Sequence, residues 1–426
     1  MWWRKIEEIW KTPDLRNSIL FVLGMLAIFR AAAHLPIPGV DAVALRNFFS
    51  SNQLLGLLNL FSGGGLENFS VVMLGVGPYI TASIIVQLLT MIVPRLEEIS
   101  KEGEQGQHRI NQYTRWLTVP LAILQAYSFI QLLKSQAGVR VLGTMDTWQL
   151  ITSIVTITAG TIFVMWLGEL ISERKIGNGI SLMIFAGIVA SIPQHVQQAL
   201  STFDATQIPT LVAFLVIALI TVVGVVVVNE AQRNIPVNYA RMVKGPRTYG
   251  GSSTFLPLRL LQAGVIPIIF AISVILFPPM VAQFAARSQT AWLANLAEHT
   301  INLFQNQTFY AIAYFVLVFG FTYFYTAVIF KPDQISENLQ KNGGFVPGIR
   351  PGKSTADYLG STMNKVVFPG ALFLAAIAIL PLALRSFTGS QVLVFGGTSL
   401  LIVVSVVIET MRQINAQLVM RDYDEL

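Results

Sequence analysis

The chain has 426 residues, of which 54% are hydrophobic and 12% are charged, and its mean hydropathy is +0.62. Soluble domains carry about 25% charged residues, so this composition excludes an ordinary soluble protein and indicates a polytopic membrane protein. The chain contains no cysteine, which excludes disulfides, thiolate chemistry and cysteine-ligated metals. In a membrane protein, the net charge of +6 is first a guide to which loops face the cytoplasm.

Ten apolar segments follow an amphipathic N-terminus, whose Trp2, Trp3 and Trp10 stand beside basic residues and predict a helix at the membrane interface. A helical crossing takes about 20 apolar residues. Apolar length predicts ten spans, at about 19–33, 71–93, 116–133, 148–168, 179–197, 208–228, 261–285, 308–330, 366–384 and 391–408. The fold class is therefore an all-α polytopic membrane protein.

A shorter apolar run lies between the first and second spans. Residues 54–61 are too few to cross a bilayer, and Ser62 and three glycines, Gly63, Gly64 and Gly65, follow them. Irregular backbone at membrane depth is tolerated only where protein covers it or water lines it. Two interpretations stay open at this point: a movable segment that folds into a water-facing cavity, and a short amphipathic helix in a surface loop.

The distribution of lysine and arginine predicts the topology. With the N-terminus in the cytoplasm, most of the 28 basic residues fall on cytoplasmic segments, as the positive-inside rule requires. Both termini are then cytoplasmic. The exceptions on the opposite side are Arg30, Arg46, Lys134, Arg140, Arg287 and Arg385.

Ten spans divide into an N-terminal half, residues 1–205, and a C-terminal half, residues 206–426. Five spans begin and end on opposite sides of the membrane, so related halves would be inverted repeats with functional sites near the midplane between them. The sequence shows no convincing identity between the halves. The inversion is an inference from topology alone, with residues 204–209 as the natural hinge.

The predicted spans are almost free of charge, with Arg30 as the exception near one span end. An ion-coupled solute transporter with ten spans usually places ionisable side chains at depth, and an intramembrane enzyme needs a nucleophile, paired aspartates or metal ligands there. The chain has no Walker motif and no HExxH motif. We therefore expect no catalytic residues, no metal and no cofactor, and the sequence argues against both of these classes.

Two long loops are predicted on the cytoplasmic side, at residues 229–260 and 331–365. Alternating residues around Lys244 predict a β-hairpin in the first loop. In the second, prolines and glycines bracket Arg350 and predict a rigid turn that presents a planar guanidinium to a partner. An ordinary solvated turn with a topology-setting charge is an equally weighted alternative.

Seven segments spread over both halves resemble the SecY family of protein-conducting channels. They are GPYITASIIVQLLT (77–90), EISKEGEQGQHRINQYTR (98–115), ERKIGNGISLMIFAGIVA (173–190), IPVNYARMV (235–243), AGVIPIIFA (263–271), FVPGIRPG (345–352) and FGGTSLLIVVSVVIE (395–409). The resemblance covers essentially the whole chain. It implies an hourglass pore between two inverted five-helix halves, with a short plug half-helix.

The resemblance assigns roles to residues inside the pore. Aliphatic side chains would form the ring at its waist, and Val76 departs from the isoleucine that family members often carry. The ring residues are Val76, Ile80, Ile180, Ile184, Ile269 and Ile402. The plug is implied at 54–67, with plug and hinge residues Leu57, Leu58, Leu60, Phe61, Gly63, Gly64 and Gly65.

The resemblance also implies a lateral gate and docking loops. The gate would open to lipid for signal sequences and new membrane spans, and its candidate residues are Gln87, Thr90, Gln125 and Ser273. The loops would dock the SecA motor ATPase or the ribosome through Arg241, Lys244, Arg247 and Arg350. Further implied partners are the small subunits SecE and SecG and polypeptides that bear signal sequences, in the bacterial cytoplasmic membrane.

Overall fold

The chain forms thirteen helices and five short strands within the residues that its computed structural model describes. These residues are 7, 9–37, 45, 62, 64–66, 68–135, 146–201, 208–239, 242–244, 247–249, 253–262, 264–285, 290–388 and 397–424. The predominance of helices and the apolar character of the long ones confirm the predicted helical membrane fold.

Six helices precede residue 205: α1 (Pro13–Ala32), α2 (Gly77–Ile92), α3 (Pro94–Lys101), α4 (Glu104–Ser135), α5 (Thr147–Glu173) and α6 (Gly179–Ser201). The rest of the chain forms α7 (Ile208–Glu230), β1 (Gln232–Tyr239), β2 (Met242–Lys244), β3 (Arg247–Tyr249), β4 (Ser253–Arg259), α8 (Ile266–Ala285), α9 (Ala291–Gln305), α10 (Gln307–Ile329), α11 (Pro332–Lys341), β5 (Gly344–Phe345), α12 (Lys353–Thr388) and α13 (Gly397–Asp424).

Each of the ten predicted spans overlaps one of these helices, but the number of spans is only partly visible. Among the described residues, five helical stretches are long and apolar enough to cross a membrane: Pro13–Ala32, Thr147–Glu173, Gln307–Lys341, Lys353–Ala383 and Ser399–Met420. The pair α2 and α3, bent by 102°, adds a sixth if it is one broken span. Helices α6, α7 and α8 contain shorter apolar stretches, so ten crossings stay a prediction.

The second predicted span, 71–93, begins later than its apolar run suggests. Residues 71–76 form turns, with Gly75 at a φ of 52°, and α2 starts at Gly77 with a proline in its first turn. Proline suits the first helical positions because it lacks an N–H, and an N–H there would have no partner within the helix. At the other end Val93 is extended, as expected for a residue before a proline, and α3 turns away.

Other boundaries also differ from the prediction. Helix α8 starts five residues later than expected, after Gly264 at a φ of 58°. Helix α12 starts at Lys353 and α13 extends to Asp424, so both run well beyond their apolar stretches. The loop predicted at 331–365 is therefore largely helical. Helices α3, α9 and α11 were not expected from apolar length, because each is short or polar.

Packing divides the chain into two compact units. One consists of Met1–Ala205, Leu276–Phe304 and Val406–Leu426, and the other of Thr206–Ile275 and Gln305–Ser405. In the first unit α4 packs between α2 and α5, and α6 packs on α5. In the second unit α10 lies along α12, and β1 pairs with β4 and β5. The predicted halves share the boundary after residue 205 but assign 276–304 and 406–426 differently.

Candidate functional site

The segment between the glycines and α2 is held in place by backbone hydrogen bonds within the first unit. Pro36 and Ser70 form an isolated antiparallel bridge. On either side of it, the Ile37 N–H donates to the Phe69 carbonyl (2.9 Å) and the Val71 N–H donates to the Leu35 carbonyl (3.0 Å). The residues just after α1 are thereby joined to the residues that lead into α2.

The described part of the glycine stretch is closely packed. Gly64 has a φ of 81°, a conformation that favours glycine. A Cβ on Gly65 would lie 2.9 Å from Ser70 Oγ and 3.0 Å from the Val72 carbonyl oxygen. The Ser62 hydroxyl accepts a hydrogen bond from the Leu66 N–H (3.1 Å). The backbone from Gly65 onward is therefore enclosed, and any hinge would act before it.

An apolar cluster seals the same segment against α4 and α5. A Cβ on Gly160 of α5 would lie 2.0 Å from the Val71 carbonyl oxygen, so this helix touches the backbone of the segment directly. The buried members of the cluster are Ile37, Leu45, Leu66, Phe69, Met73, Ala126, Phe129, Ile130, Leu133 and Ile157. The predicted plug residues Leu57, Leu58, Leu60, Phe61 and Gly63 lie outside the described residues.

The predicted ring residues are distributed over both units. In the first unit Val76 is the N-cap of α2, Ile80 donates its N–H to the Val76 carbonyl (3.0 Å), and Ile180 and Ile184 lie on α6. In the second unit Ile269 lies on α8 and Ile402 on α13. Five of them are 1% to 5% exposed: Val76, Ile80, Ile184, Ile269 and Ile402. Their assembly into one ring stays a prediction.

The predicted lateral-gate residues form two groups, two hydroxyl residues bonded within their own helices and two glutamines. Thr90 donates its hydroxyl to the Gln87 carbonyl (2.7 Å), and Ser273 donates to the Ile269 carbonyl (3.0 Å). Both hydroxyl protons are used within their own helices, which is the routine role of such residues in membrane helices. The Gln87 Oε1 is buried and accepts no hydrogen bond from any described residue, and Gln125 faces Gly77 across α2 and α4.

A three-stranded sheet in the second unit joins the two long loops. Strands β1 and β4 pair antiparallel, with Ile235 opposite Leu256, and β2 pairs with β3, with Lys244 opposite Arg247. These pairings confirm the hairpin that alternation predicted in the first loop. Strand β5 from the second loop then pairs with the free edge of β1, with Asn238 opposite Phe345. The loops form one platform, defined here as β1, β4, β5 and the turn that follows β5.

The inner face of the platform packs on the ends of α10 and α12. The buried residues of this contact, from the platform and the helices together, are Ile235, Val237, Leu258, Phe330, Val346, Leu359, Met363, Val367 and Ala371. A Cβ on Gly344 of β5 would lie 3.0 Å from the Tyr239 ring and 3.3 Å from the Leu339 carbonyl oxygen. Because the strand approaches both neighbours so closely, the second loop is fixed to the first.

The turn after β5 presents Arg350 on a braced backbone. The Ile349 N–H donates to the Val346 carbonyl (3.1 Å), and Gly348 and Gly352 have φ values of 80° and 93°. The buried Thr355 hydroxyl donates to the Arg350 carbonyl (2.8 Å). Arg350 itself is exposed. The structure thus has the rigid, arginine-bearing turn that the proline–glycine frame predicted.

A second hydroxyl braces the same turn from α11. Ser336 is buried and donates to the Gly352 carbonyl at 2.6 Å. Sequence reasoning missed both Ser336 and Thr355. Thr355 stands close behind the Pro351–Gly352 pair, which is a signal that could have found it. Ser336 is separated from Gly352 by the rest of its own helix and by β5.

The other predicted docking residues belong to the hairpin tip. Lys244 and Arg247 are directly paired residues of β2 and β3, and Arg241 lies outside the described residues. Arg350 is therefore the predicted docking residue whose surroundings the structure describes in full. A planar guanidinium on a fixed turn suits bidentate recognition of a carboxylate or a phosphate.

Comparison with known proteins identifies close relatives over nearly the full length. The family model described as SecY matches residues 70–411. The protein translocase subunit SecY of Streptomyces galbus is 43% identical over 430 residues, covering 97% of this chain and 97% of its own. The protein of the same name from Corynebacterium glutamicum is 43% identical over 440 residues, covering 99% of each chain.

Solved structures share the fold at lower identity. A structure described as that of a protein-conducting channel is 16% identical, covers 93% of this chain and 91% of its own, and gives a TM-score of 0.61. Sec61 in the canine ribosome–channel complex from the endoplasmic reticulum is 15% identical with the same coverage and a TM-score of 0.56. At these identities the likeness shows the fold.

Proposed function

The chain belongs to the SecY family, and we propose on that premise that it is the channel subunit of a protein translocase. It conducts unfolded secretory proteins across the membrane and releases membrane proteins laterally into it. The observation that carries this function is the 43% identity, over 97% of both chains, to a protein translocase subunit SecY. Its role is that of a channel, with the driving force supplied by a partner.

The resting channel is closed by an aliphatic ring and a plug. Aliphatic side chains at a constriction resist ions by dewetting and make no sequence-specific hydrogen bonds, so polypeptides of any sequence can pass. Burial of five of the six ring residues supports positions that face protein and not lipid. The plug lies within residues 54–67, and the enclosed backbone from Gly65 onward supports a moving part that ends before Gly65.

The platform is the docking surface for the energy source, which is the SecA motor or the ribosome. Arg350 is its polar anchor, and the exposed Phe255 and Phe345 add the aromatic surface that is common at the centres of protein interfaces. Lys244 and Arg247, with Arg241, extend the basic surface at the hairpin tip. Docking on ribosomal RNA would weaken steeply with salt because phosphate contacts release counterions, which distinguishes the two partners.

The remaining parts of the proposal follow from family membership. The channel works with SecE and SecG in the bacterial cytoplasmic membrane, with both termini in the cytoplasm as the lysine and arginine distribution predicts. The halves 1–205 and 206–426 form an hourglass pore. Signal sequences leave through a lateral gate between spans two and three on one side and spans seven and eight on the other.

Protease protection in proteoliposomes tests this function. We would reconstitute the chain with its small subunits and add the motor, ATP and an unfolded, signal-bearing polypeptide. We expect ATP-dependent protection of the polypeptide, and we expect Arg350→Glu to abolish it while the protein stays folded. The carbonyl of Arg350, which the turn needs, is retained in this variant. Arg95→Glu is the matched control, because Arg95 is exposed and lies on α3, outside the platform.

Two results would count against the proposal. Absence of protection with bound, folded components would exclude a protein channel and would direct attention to solute flux. Full protection with Arg350→Glu would leave the channel assignment intact and remove Arg350 from the docking surface.

A further inference from the structure

Helix α9 (Ala291–Gln305) divides lengthwise into three sectors. One sector is covered by protein and contains Leu293, Ala297, Ile301 and Phe304, of which Ala297 is 3% exposed. A second is polar and exposed, with Asn295, Glu298, Asn302 and Gln305 at spacings of three and four residues. The spacings place each set on its own side of a helix with 3.6 residues per turn.

The third sector is an exposed stripe that is apolar apart from His299, which lies between Leu296 and Leu303. Trp292, Leu296 and Leu303 follow one another at spacings of four and seven residues and are 63%, 56% and 37% exposed. The stripe is defined here by these three residues. It lies between the covered sector and the polar sector. The three sectors therefore suit contact with protein, with an apolar medium and with water.

The connections of α9 keep it next to the membrane. The helix follows α8 after five residues and is separated from α10 by Asn306 alone. Asn306 caps α10 by accepting hydrogen bonds from the Thr308 and Phe309 N–H groups. Helix α10 belongs to a stretch long and apolar enough to cross a membrane. Since one residue spans at most about 3.6 Å, the end of α9 cannot leave the membrane surface.

We propose that α9 lies in the interface of the bilayer, with Trp292, Leu296 and Leu303 inserted among the lipids and the polar sector facing water. Tryptophan is enriched at this depth because its ring is apolar and its N–H is polar. The helix itself has no lysine or arginine. Its attachment therefore depends on apolar insertion and not on attraction to anionic headgroups.

The absence of cysteine from the chain permits a direct test with single labels. Cysteine is introduced at Leu296 or Leu303 on the stripe, and at Asn295 or Asn302 on the polar sector as matched controls. Each variant carries an environment-sensitive fluorophore and is reconstituted as the full chain in phosphatidylcholine vesicles. Quenching is measured with nitroxides on lipid acyl chains and, separately, with iodide in water.

We expect the labels at 296 and 303 to be quenched by the lipid nitroxide, at a depth of about 5–10 Å below the headgroup boundary, and to be protected from iodide. The labels at 295 and 302 should show the opposite pattern. Adding anionic lipid should change the four depths little, because the helix has no lysine or arginine to respond to it.

Two outcomes would overturn the proposal. If iodide quenches all four labels alike, the stripe faces water. If the labels at 296 and 303 are quenched by neither agent, protein covers the stripe, and a second copy or a partner subunit is its occupant. Because all four positions are exposed, the labels do not disturb the core, and the lipid contact is read independently of any transport activity.

Discussion

Thr355 braces the backbone that carries Arg350, because its buried hydroxyl donates to the carbonyl of that residue. Thr355→Val keeps the shape of the side chain and removes the donor. A typical hydrogen bond contributes about 0.5–1.5 kcal/mol, so we expect motor binding to weaken by up to about tenfold. Equilibrium binding of the motor to the reconstituted channel measures this effect.

Thr355→Ser is the control for this prediction, since serine retains the hydroxyl and should restore binding to nearly the original affinity. The decisive comparison is made in an Arg350→Ala background. If Thr355 acts by positioning Arg350, Thr355→Val should weaken binding no further there. An equal loss in both backgrounds would mean that the threonine supports the fold in general and has no specific effect on the turn.

At the scale of elements, α5 closely approaches the backbone of the segment before α2. A Cβ on Gly160 would come 2.0 Å from the Val71 carbonyl oxygen, so Gly160→Ala must push the segment away from α5. Overpacking of this kind typically costs about 1–3 kcal/mol. We expect a lower melting temperature in detergent and, because Val76 ends this segment, a larger resting ion conductance.

Gly24→Ala is the matched control, because Gly24 lies in a helix and a Cβ there meets no atom within 4 Å. It should leave the conductance unchanged and leave the melting temperature the same or higher, since alanine favours a helix over glycine by about 1 kcal/mol. Equal effects of the two substitutions would show that the α5 contact does not restrain the segment.

The elements that the sequence predicts are those with a strong local pattern. Alternation around Lys244 predicts the hairpin, and prolines and glycines around Arg350 predict its turn. The pairing of β5 with β1 has no such pattern, because Gly344 and Phe345 are too short a strand to recognise. Helix α9 is missed for a different reason: its apolar residues recur at four and seven positions, but it has 15 residues, fewer than a span requires.

Apolar length also misplaces boundaries where tertiary contacts or turns decide them. Residues 71–76 are apolar enough for a helix, yet the bridge to Pro36 and the left-handed Gly75 impose turns on them. The polar start of α12 is helical because Thr355 and Ala356 donate their N–H groups to the Gly352 carbonyl. The ring and gate residues depend on the arrangement of whole helices, for which a single sequence carries little local signal.

At the scale of the whole molecule, two deletions distinguish the role of the proposed plug from that of the enclosed backbone that follows it. Removing residues 57–61 takes away part of the apolar run and retains Ser62, Gly65 and the bridge at Ser70. We expect this deletion to raise the resting ion conductance in planar bilayers, because a plug that seals the pore is shortened, and to leave the melting temperature unchanged.

Removing residues 57–65 also deletes Ser62, whose hydroxyl accepts the Leu66 N–H, and Gly65, whose carbonyl accepts the Ser70 N–H (3.0 Å). This larger deletion should raise the conductance as well and, in addition, lower the melting temperature, because it pulls Leu66 and Phe69 from the cluster on α4 and α5. If neither deletion changes the conductance, residues 57–61 do not seal the pore. If both lower the melting temperature equally, the segment before Ser62 belongs to the fixed core, and the part that moves during transport lies elsewhere in the chain.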